Sequence, residues 1–369
     1  MKHLWETECV VRDPMAAEAA RIAGERLEEA ARIAGERSGE AARSPDGRGG
    51  GRSPFERIEL IFERAETEGF VLSETETERP GVRRFTVAAG RVRNYIAGVG
   101  KLLEYLLREA DEPEPRERRN PAKTGGRPHP SGGREYVPAL RDRIHYMPAH
   151  FGNGFEAAWN GEMERYLEDL ALSGASGYGD WFDPNDMPNP YKPIVHHSAS
   201  MYLWRRKKER LAFSKRLGLD NVLIITPNVG FVDQMRPEWM GVRDRKLRAQ
   251  GQILCPSNPA AREIIFENHT NLFADLKESG IPIDKAVYFP YDDGGCACEK
   301  CRPYYPVFLS LVRDIHTRLR EFYPNLKADI CGWWTSEEEF AELRRFAAGP
   351  AKAWFDSFQF SATYGVYRL

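Results

Sequence analysis

From Arg141 onward, apolar stretches of strand length alternate with helical stretches, and nothing else in the sequence restricts the fold as strongly. "RIHYMPAHF" precedes a helical stretch over 161–172, and "GYGDWFDPND" precedes "ASMYLWRRKKERLAFSKRLG". "NVLIITPNVG" leads through a long loop to "PAAREIIFENHTNLFADLKESG", and "KAVYFPYDD" leads to "VFLSLVRDIHTRLREF". "KADICGWWTS" is followed by "EEEFAELRRFAA", and "AKAWFDSFQFSATYG" closes the series. Apolar strands separated by helices pair in parallel through right-handed crossovers. No unit carries a Gly-rich phosphate turn straight after its strand, so the six units fit a (β/α) TIM-type barrel better than a doubly wound sheet. A full barrel has eight units. The expectation is an α/β barrel over 139–369 that reads as incomplete at its C-terminal end: either two strands escape the reading or the chain is truncated after strand six, and truncation is favoured.

Ahead of it the rhythm differs. "LWETECVV" reads as a strand, Asp13 as a helix cap and Pro14 as a first-turn residue. "EAARIAGER" then occurs twice, at 18–26 and 29–37. The eleven-residue offset is close to three helical turns, which puts Ile22 and Ile33 on one face. A local duplication that lengthens one helix is the simpler reading, and a coiled-coil contact with a partner is the other. After the Gly- and Pro-rich "SPDGRGGGRSP" come three short strands, "RIELIFER", "GFVLSETE" and "RRFTVAAG", and a helix over 95–110. This β-α-β-β-β-α order predicts a small α+β domain over 1–112. Residues 113–138, with "DEPEPRERRNP" and "GGRPHPSGG", read as a linker or exposed loop.

The charges balance, 53 basic against 55 acidic for a net −2, so no overall field draws in nucleic acid or an anionic membrane. Nothing approaches a membrane span, and "MKHLWETECVV" has no apolar run with a cleavage site, so a soluble, cytoplasmic protein is expected. Six cysteines are too few for a disulfide scaffold.

Barrel active sites gather at the C-terminal strand ends. Those ends supply His150 and Asn153; Trp181, Asp183 and Asp186; Asn228; Tyr291, Asp292 and Asp293; Trp333 and Trp334; and Asp356, with Tyr364 nearby. Carboxylates mixed with flat aromatic rings suit a sugar, and a carbohydrate substrate is expected. His150, Asn153, Trp181, Asp183, Asn228, Tyr291, Trp333, Trp334 and Asp356 are the candidate substrate-binding residues. Glycoside cleavage needs two carboxyls flanking the bond, about 5 Å apart for retention or about 6.5–9.5 Å for inversion. Asp293 is the candidate acid and Asp292 its orienting or base partner; they can act together only if the strand has ended, which Gly294-Gly295 allows. Asp183 and Asp356 are further candidates. The competing reading is that one aspartate of the pair merely caps the following turn.

The stretch "FTVAAGRVRNYIAGVGKLLEYLL" resembles the end of the small α/β domain that precedes the barrel in family 20 hexosaminidases and family 67 α-glucuronidases, where a strand and a G-D-x-R-G-x-x-Y-G turn lead into a helix. "ILCPSNP" and "PYDDGGCACEKC" are similar to segments of bacterial relatives of those enzymes that carry a D-x-G-x-C-x-C-x-x-C pattern. The resemblance runs from about Val82 onward and implies a glycoside hydrolase acting on an oligosaccharide or glycan. It implies an adjacent Asp-Glu pair at the end of strand four, with Glu as general acid. Asp292 and Asp293 stand at that place, the second with a side chain one methylene shorter.

Cys296, Cys298 and Cys301 form C-x-C-x-x-C in one loop, and Cys255 lies in the loop after the preceding strand. Four thiolates from two adjacent loops match a closed tetrahedral zinc site, with a structural role and no part in catalysis. Disulfides or free thiols are the alternative, although a C-x-C disulfide is strained. Cys9 and Cys331 read as buried thiols. Two other functions stay open: a non-catalytic carbohydrate-binding barrel, and a metallohydrolase built on His145, His150, His196 or His197. His145 and His150 fall on opposite faces of an ideal strand, which disfavours a shared metal. "RRKKER" at 205–210 reads as a solvated helix face.

Overall fold

The computed structural model describes residues 5–41, 57–111, 132–147, 154–182, 187–192, 199–249, 251–291, 294–332, 335–349 and 351–359. They divide into two compact units: Met1–Arg143 with Arg165–Ser176 and Arg216–Leu219, and Ile144–Glu164 with Gly177–Lys215 and Asp220–Leu369.

In the first unit, β1 (Glu6–Val11) leads through a 3-10 turn into α1 (Ala17–Ala41), followed by β2 (Arg57–Arg64), β3 (Phe70–Thr75), β4 (Val82–Ala89) and α2 (Val92–Asp111). Asp13 caps the turn as expected, accepting the Met15 N–H at 3.0 Å, with Pro14 in the first turn. Its other oxygen accepts the Tyr95 hydroxyl at 2.7 Å, which fixes the start of α1 to α2. In the repeat, Ile22 is buried and Ile33 half-buried, while the neighbouring Ala23 and Ala34 are both buried, so the two copies share one inward face.

The sheet order is β1-β2-β4-β3-β5, and its last member departs from the expected linker. β5 (Arg134–Tyr136) pairs antiparallel with β3, and Tyr136 stacks on Phe70 at 4.9 Å. A Cβ at Gly69 would lie 1.8 Å from the Tyr136 carbonyl oxygen, so the glycine lets the strand approach. Three residues beside a Gly-rich run carry no alternation to read, and only tertiary pairing makes them a strand.

The second unit contains β6 (Ile144–Tyr146), α3 (Gly154–Ala157), the start of α4 (Asn160–Leu172), β7 (Gly177–Trp181), α5 (Ala199–Arg216), β8 (Asp220–Ile225), α6 (Pro259–Glu278), β9 (Lys285–Tyr288), α7 (Tyr304–Phe322), β10 (Lys327–Cys331), α8 (Glu337–Ala348) and β11 (Phe355–Gln359). All six strands pair in parallel in strictly sequential order. A doubly wound sheet reverses its order at a switch point, whereas winding in one direction curls the sheet into a barrel. The expected α/β barrel architecture is therefore present as a half-barrel of six strands.

Both faces of the sheet's four central strands, β7 to β10, are buried, as parallel pairing requires. Val222, Ile224, Val287, Phe289, Cys331 and Trp181 pack into one cluster on the inner face. On the outer face Tyr288 donates to Nδ1 of His316 on α7 at 3.0 Å. Among the described residues, no helix is long and apolar enough to cross a membrane.

Candidate functional site

The chain leaves β8 at Thr226 and returns at Asn258, the cap of α6, whose side-chain oxygen accepts the N–H groups of Ala260 and Ala261 at 3.0 and 3.3 Å. Between them the segment folds back on itself through bridges Val229–Ile253, Met240–Leu254 and Asp244–Ala249. The loop after β9 docks against it: the Ala297 N–H donates to the Val242 carbonyl at 2.8 Å, and Ala297 packs with Ala249 and Ile253.

Asn228 joins the two loops from beneath. Its amide nitrogen donates to the carbonyls of Leu254 at 2.9 Å and Gly295 at 2.6 Å, and its oxygen accepts the Gly295 N–H and the Tyr304 hydroxyl, both at 3.1 Å. Expected as a substrate contact, Asn228 is fully buried with both polar atoms of its side chain bonded to protein. The double glycine fits this joint. A Cβ on Gly294 would stand 2.4 Å from the Thr226 methyl and 3.0 Å from Asn228 Oδ1, and Gly295 has φ +94°, a left-handed conformation natural to glycine.

The joint brings four cysteines together. The sulfurs of Cys255, Cys296, Cys298 and Cys301 all lie within 4.8 Å of one another, the only group of three or more potential metal-ligating side chains among the described residues. Cys255 is 3.8 Å from each of the other three sulfurs, far beyond the ~2.05 Å of a disulfide. Hydrogen bonds from Cys296 and Cys301 hold the Cys255 thiol down at about 2, and the Cys255 contact is the first cause pushing Cys296 up to about 11. Cys301 is raised for the same reason. Cys9 and Cys331 stand elsewhere, on β1 and β10.

Tyr291, the last described residue before the aspartate pair, is also braced. Its hydroxyl donates to Glu339 of α8, and the Arg248 guanidinium lies 3.8 Å over its ring while pairing with Glu339 at 3.0 Å. Burial, then the Glu339 charge, raises the Tyr291 pKa. Glu339 and Arg248 did not figure among the sequence candidates. Glu339 is also the return partner in the Ser336 capping box, a local pattern that "SEEE" carries but that does not reveal the bond to Tyr291.

Trp181 ends β7 with its indole N–H donating to the Tyr146 hydroxyl and its ring 4.6 Å from Phe289. It is 8% exposed and forms part of the packed inner face. Asp356 sits at the opposite end of its strand from that expected. It is the second residue of β11 and accepts from Lys285, the first residue of β9, at 2.6 Å; Lys285 also lies 3.3 Å from Asp329. Asp356 thus belongs to an ion cluster at the N-terminal side of the sheet rather than to the C-terminal rim. Asp292, Asp293, His150, Asn153, Asp183, Asp186, Trp333, Trp334, Tyr364, His196 and His197 lie outside the described residues.

No protein-family model matches the chain, and no curated protein does. Solved structures match it across both units. A GH20 β-N-acetylhexosaminidase from Streptomyces coelicolor A3(2) superposes with TM-score 0.51 at 12% identity, over 95% of this chain and 70% of its own. A GH20 exo-β-N-acetylglucosaminidase from Vibrio harveyi, solved with N-acetylglucosamine, gives 0.53 at 12% identity, over 96% and 57%. The chain shares the fold of the family 20 glycoside hydrolases. A Flavobacterium johnsoniae chitobiase of that family gives 0.54 at 11% identity, over 97% of this chain and 56% of its own. This chain spans little more than half the length of the Vibrio and Flavobacterium enzymes.

Proposed function

We propose that the protein hydrolyses O-glycosidic bonds of an oligosaccharide or glycan at the C-terminal ends of the half-barrel strands. The observation that carries this reading is the match to family 20 glycoside hydrolases over 95% or more of the chain, both units included. In this proposal Asp293 is the general acid that protonates the leaving oxygen, and Asp292 orients it or activates the attacking water. Both follow Tyr291 and precede Gly294, two positions held by Glu339 on one side and by the close packing on Thr226 on the other. A catalytic carboxyl must be held steady to be effective, and anchors on each side of the pair serve that purpose.

The test is a panel of aryl glycosides assayed with the full chain and with Asp293→Asn and Asp292→Asn. At least one glycoside should turn over, and Asp293→Asn should lower kcat by about 100-fold or more, the usual contribution of a positioned acid. Unchanged turnover in both variants would remove the assignment.

A further inference from the structure

We infer that Cys255, Cys296, Cys298 and Cys301 hold one zinc ion in a closed tetrathiolate site that staples the loop after β8 to the loop after β9. At Zn–S bonds of about 2.3 Å, a regular tetrahedron has sulfur-to-sulfur edges of about 3.8 Å. All three edges from Cys255 are 3.8 Å. A group of four sulfurs this tight surrounds a single ion and leaves no room for the larger iron-sulfur cores.

The surroundings suit thiolates. The Ser257 hydroxyl lies 3.0 Å from the Cys301 sulfur, where it can donate to a thiolate and fix its direction, as the outer shell of a metal site does. Two of the four cysteines are buried and two half-buried, so four thiols would otherwise crowd together in a partly desolvated space. A divalent cation removes the difficulty: binding releases the thiol protons to solvent and the ion neutralises the charge. An all-sulfur tetrahedron favours zinc over harder cations, and with every position taken by protein no water reaches the ion, so the role is structural. The ion and Asn228 would then be two independent ties between the same pair of loops.

This inference does not rest on glycoside hydrolysis, because metal content is read without substrate. The full chain, purified without added metal or chelator, is analysed by inductively coupled plasma mass spectrometry and by X-ray absorption at the zinc edge. About one zinc per chain with a four-sulfur shell near 2.3 Å is expected. Cys255→Ser and Cys298→Ser should lose most of the zinc, while Cys9→Ser and Cys331→Ser retain it. Less than about a tenth of an equivalent in the unaltered chain, an iron-loaded protein, or a shell containing nitrogen or oxygen overturns the assignment. If the cluster variants fail to fold, the absorption spectrum of the unaltered chain decides the matter alone.

Discussion

Asn228 and Gly295 hold each other at both ends: the asparagine amide donates to the glycine carbonyl at 2.6 Å, and the glycine N–H returns a bond to the amide oxygen at 3.1 Å. Asn228→Ala leaves the Gly295 N–H, two carbonyls and the Tyr304 hydroxyl without this partner in a buried place. A loss of about 3 kcal/mol in urea unfolding is expected, at the level of one or two unsatisfied buried groups. Asn228→Asp should cost more, because it also aims a buried charge at two carbonyl oxygens. The reverse order of the two variants would contradict the role assigned to the amide.

The two glycines that follow the aspartate pair should fail for different reasons. Gly294→Ala forces a methyl into the Thr226 side chain at 2.4 Å, whereas Gly295→Ala meets both a left-handed backbone and the Ala249 Cα at 3.1 Å. Each should destabilise by about 1–3 kcal/mol. Adding Thr226→Ser removes the clashing methyl, so it should recover part of the loss at Gly294 and none at Gly295; thermal unfolding of the four variants reads this out.

Tyr291 and Glu339 should be energetically coupled. A double-mutant cycle with Tyr291→Phe and Glu339→Gln isolates their bond, and about 1–2 kcal/mol of coupling is expected for a partly buried hydroxyl donating to a carboxylate. Near-additivity of the two single changes would show that the contact contributes little.

Two buried histidines set a pH dependence. Burial lowers His269 and His316 from 6.5 to about 4 in the folded chain. The neutral His316 ring is fully used, with Nδ1 accepting from Tyr288 and Nε2 donating to the Leu326 carbonyl at 3.2 Å, so a proton on Nδ1 would break the first bond. Below pH 6.5 the unfolded chain binds protons that the folded chain refuses, so stability falls as pH falls, down to about 4 where the folded rings also protonate. Each histidine should account for about 2 kcal/mol between pH 6.5 and 5. His316→Gln should flatten the curve of unfolding free energy against pH in that window by roughly half, and an unchanged slope would refute the assignment.

The strand-helix rhythm is plain in the sequence, because the central strands β8 and β9 are runs of apolar residues and the helices α5, α6 and α7 are long enough to show their own period. The meeting of Cys255 with the C-x-C-x-x-C loop is legible there too, since sequential strands put their loops side by side. Asp356 was misplaced for a specific reason. The apolar run begins at Ala351, but Ala351 to Trp354 form a turn whose Trp354 packs on His316 at 4.4 Å and on Phe346, so the strand starts later and its aspartate lies near the beginning. The loop contacts of Asn228 are not legible in sequence, because a polar residue just past a strand end looks the same whether it faces a ligand or a neighbouring loop. The bracing of Tyr291 comes from Glu339 and Arg248, partners 48 residues later and 43 earlier in the chain, a distance over which no local pattern reports.

The excursion after β8 starts and finishes at one point: the Leu254 N–H donates to the Asn228 carbonyl at 2.8 Å. A detour whose two ends touch adds no length between strand and helix. Its contents are nonetheless sewn into the frame: Phe231 packs on Phe182, Gln234 exchanges amide hydrogen bonds with Asn268 of α6, and Arg248 grips Tyr291 and Glu339. The stretch from Val229 to Ile253 is thus a keystone, and any replacement would have to supply the same three footholds for the neighbouring rim to keep its form.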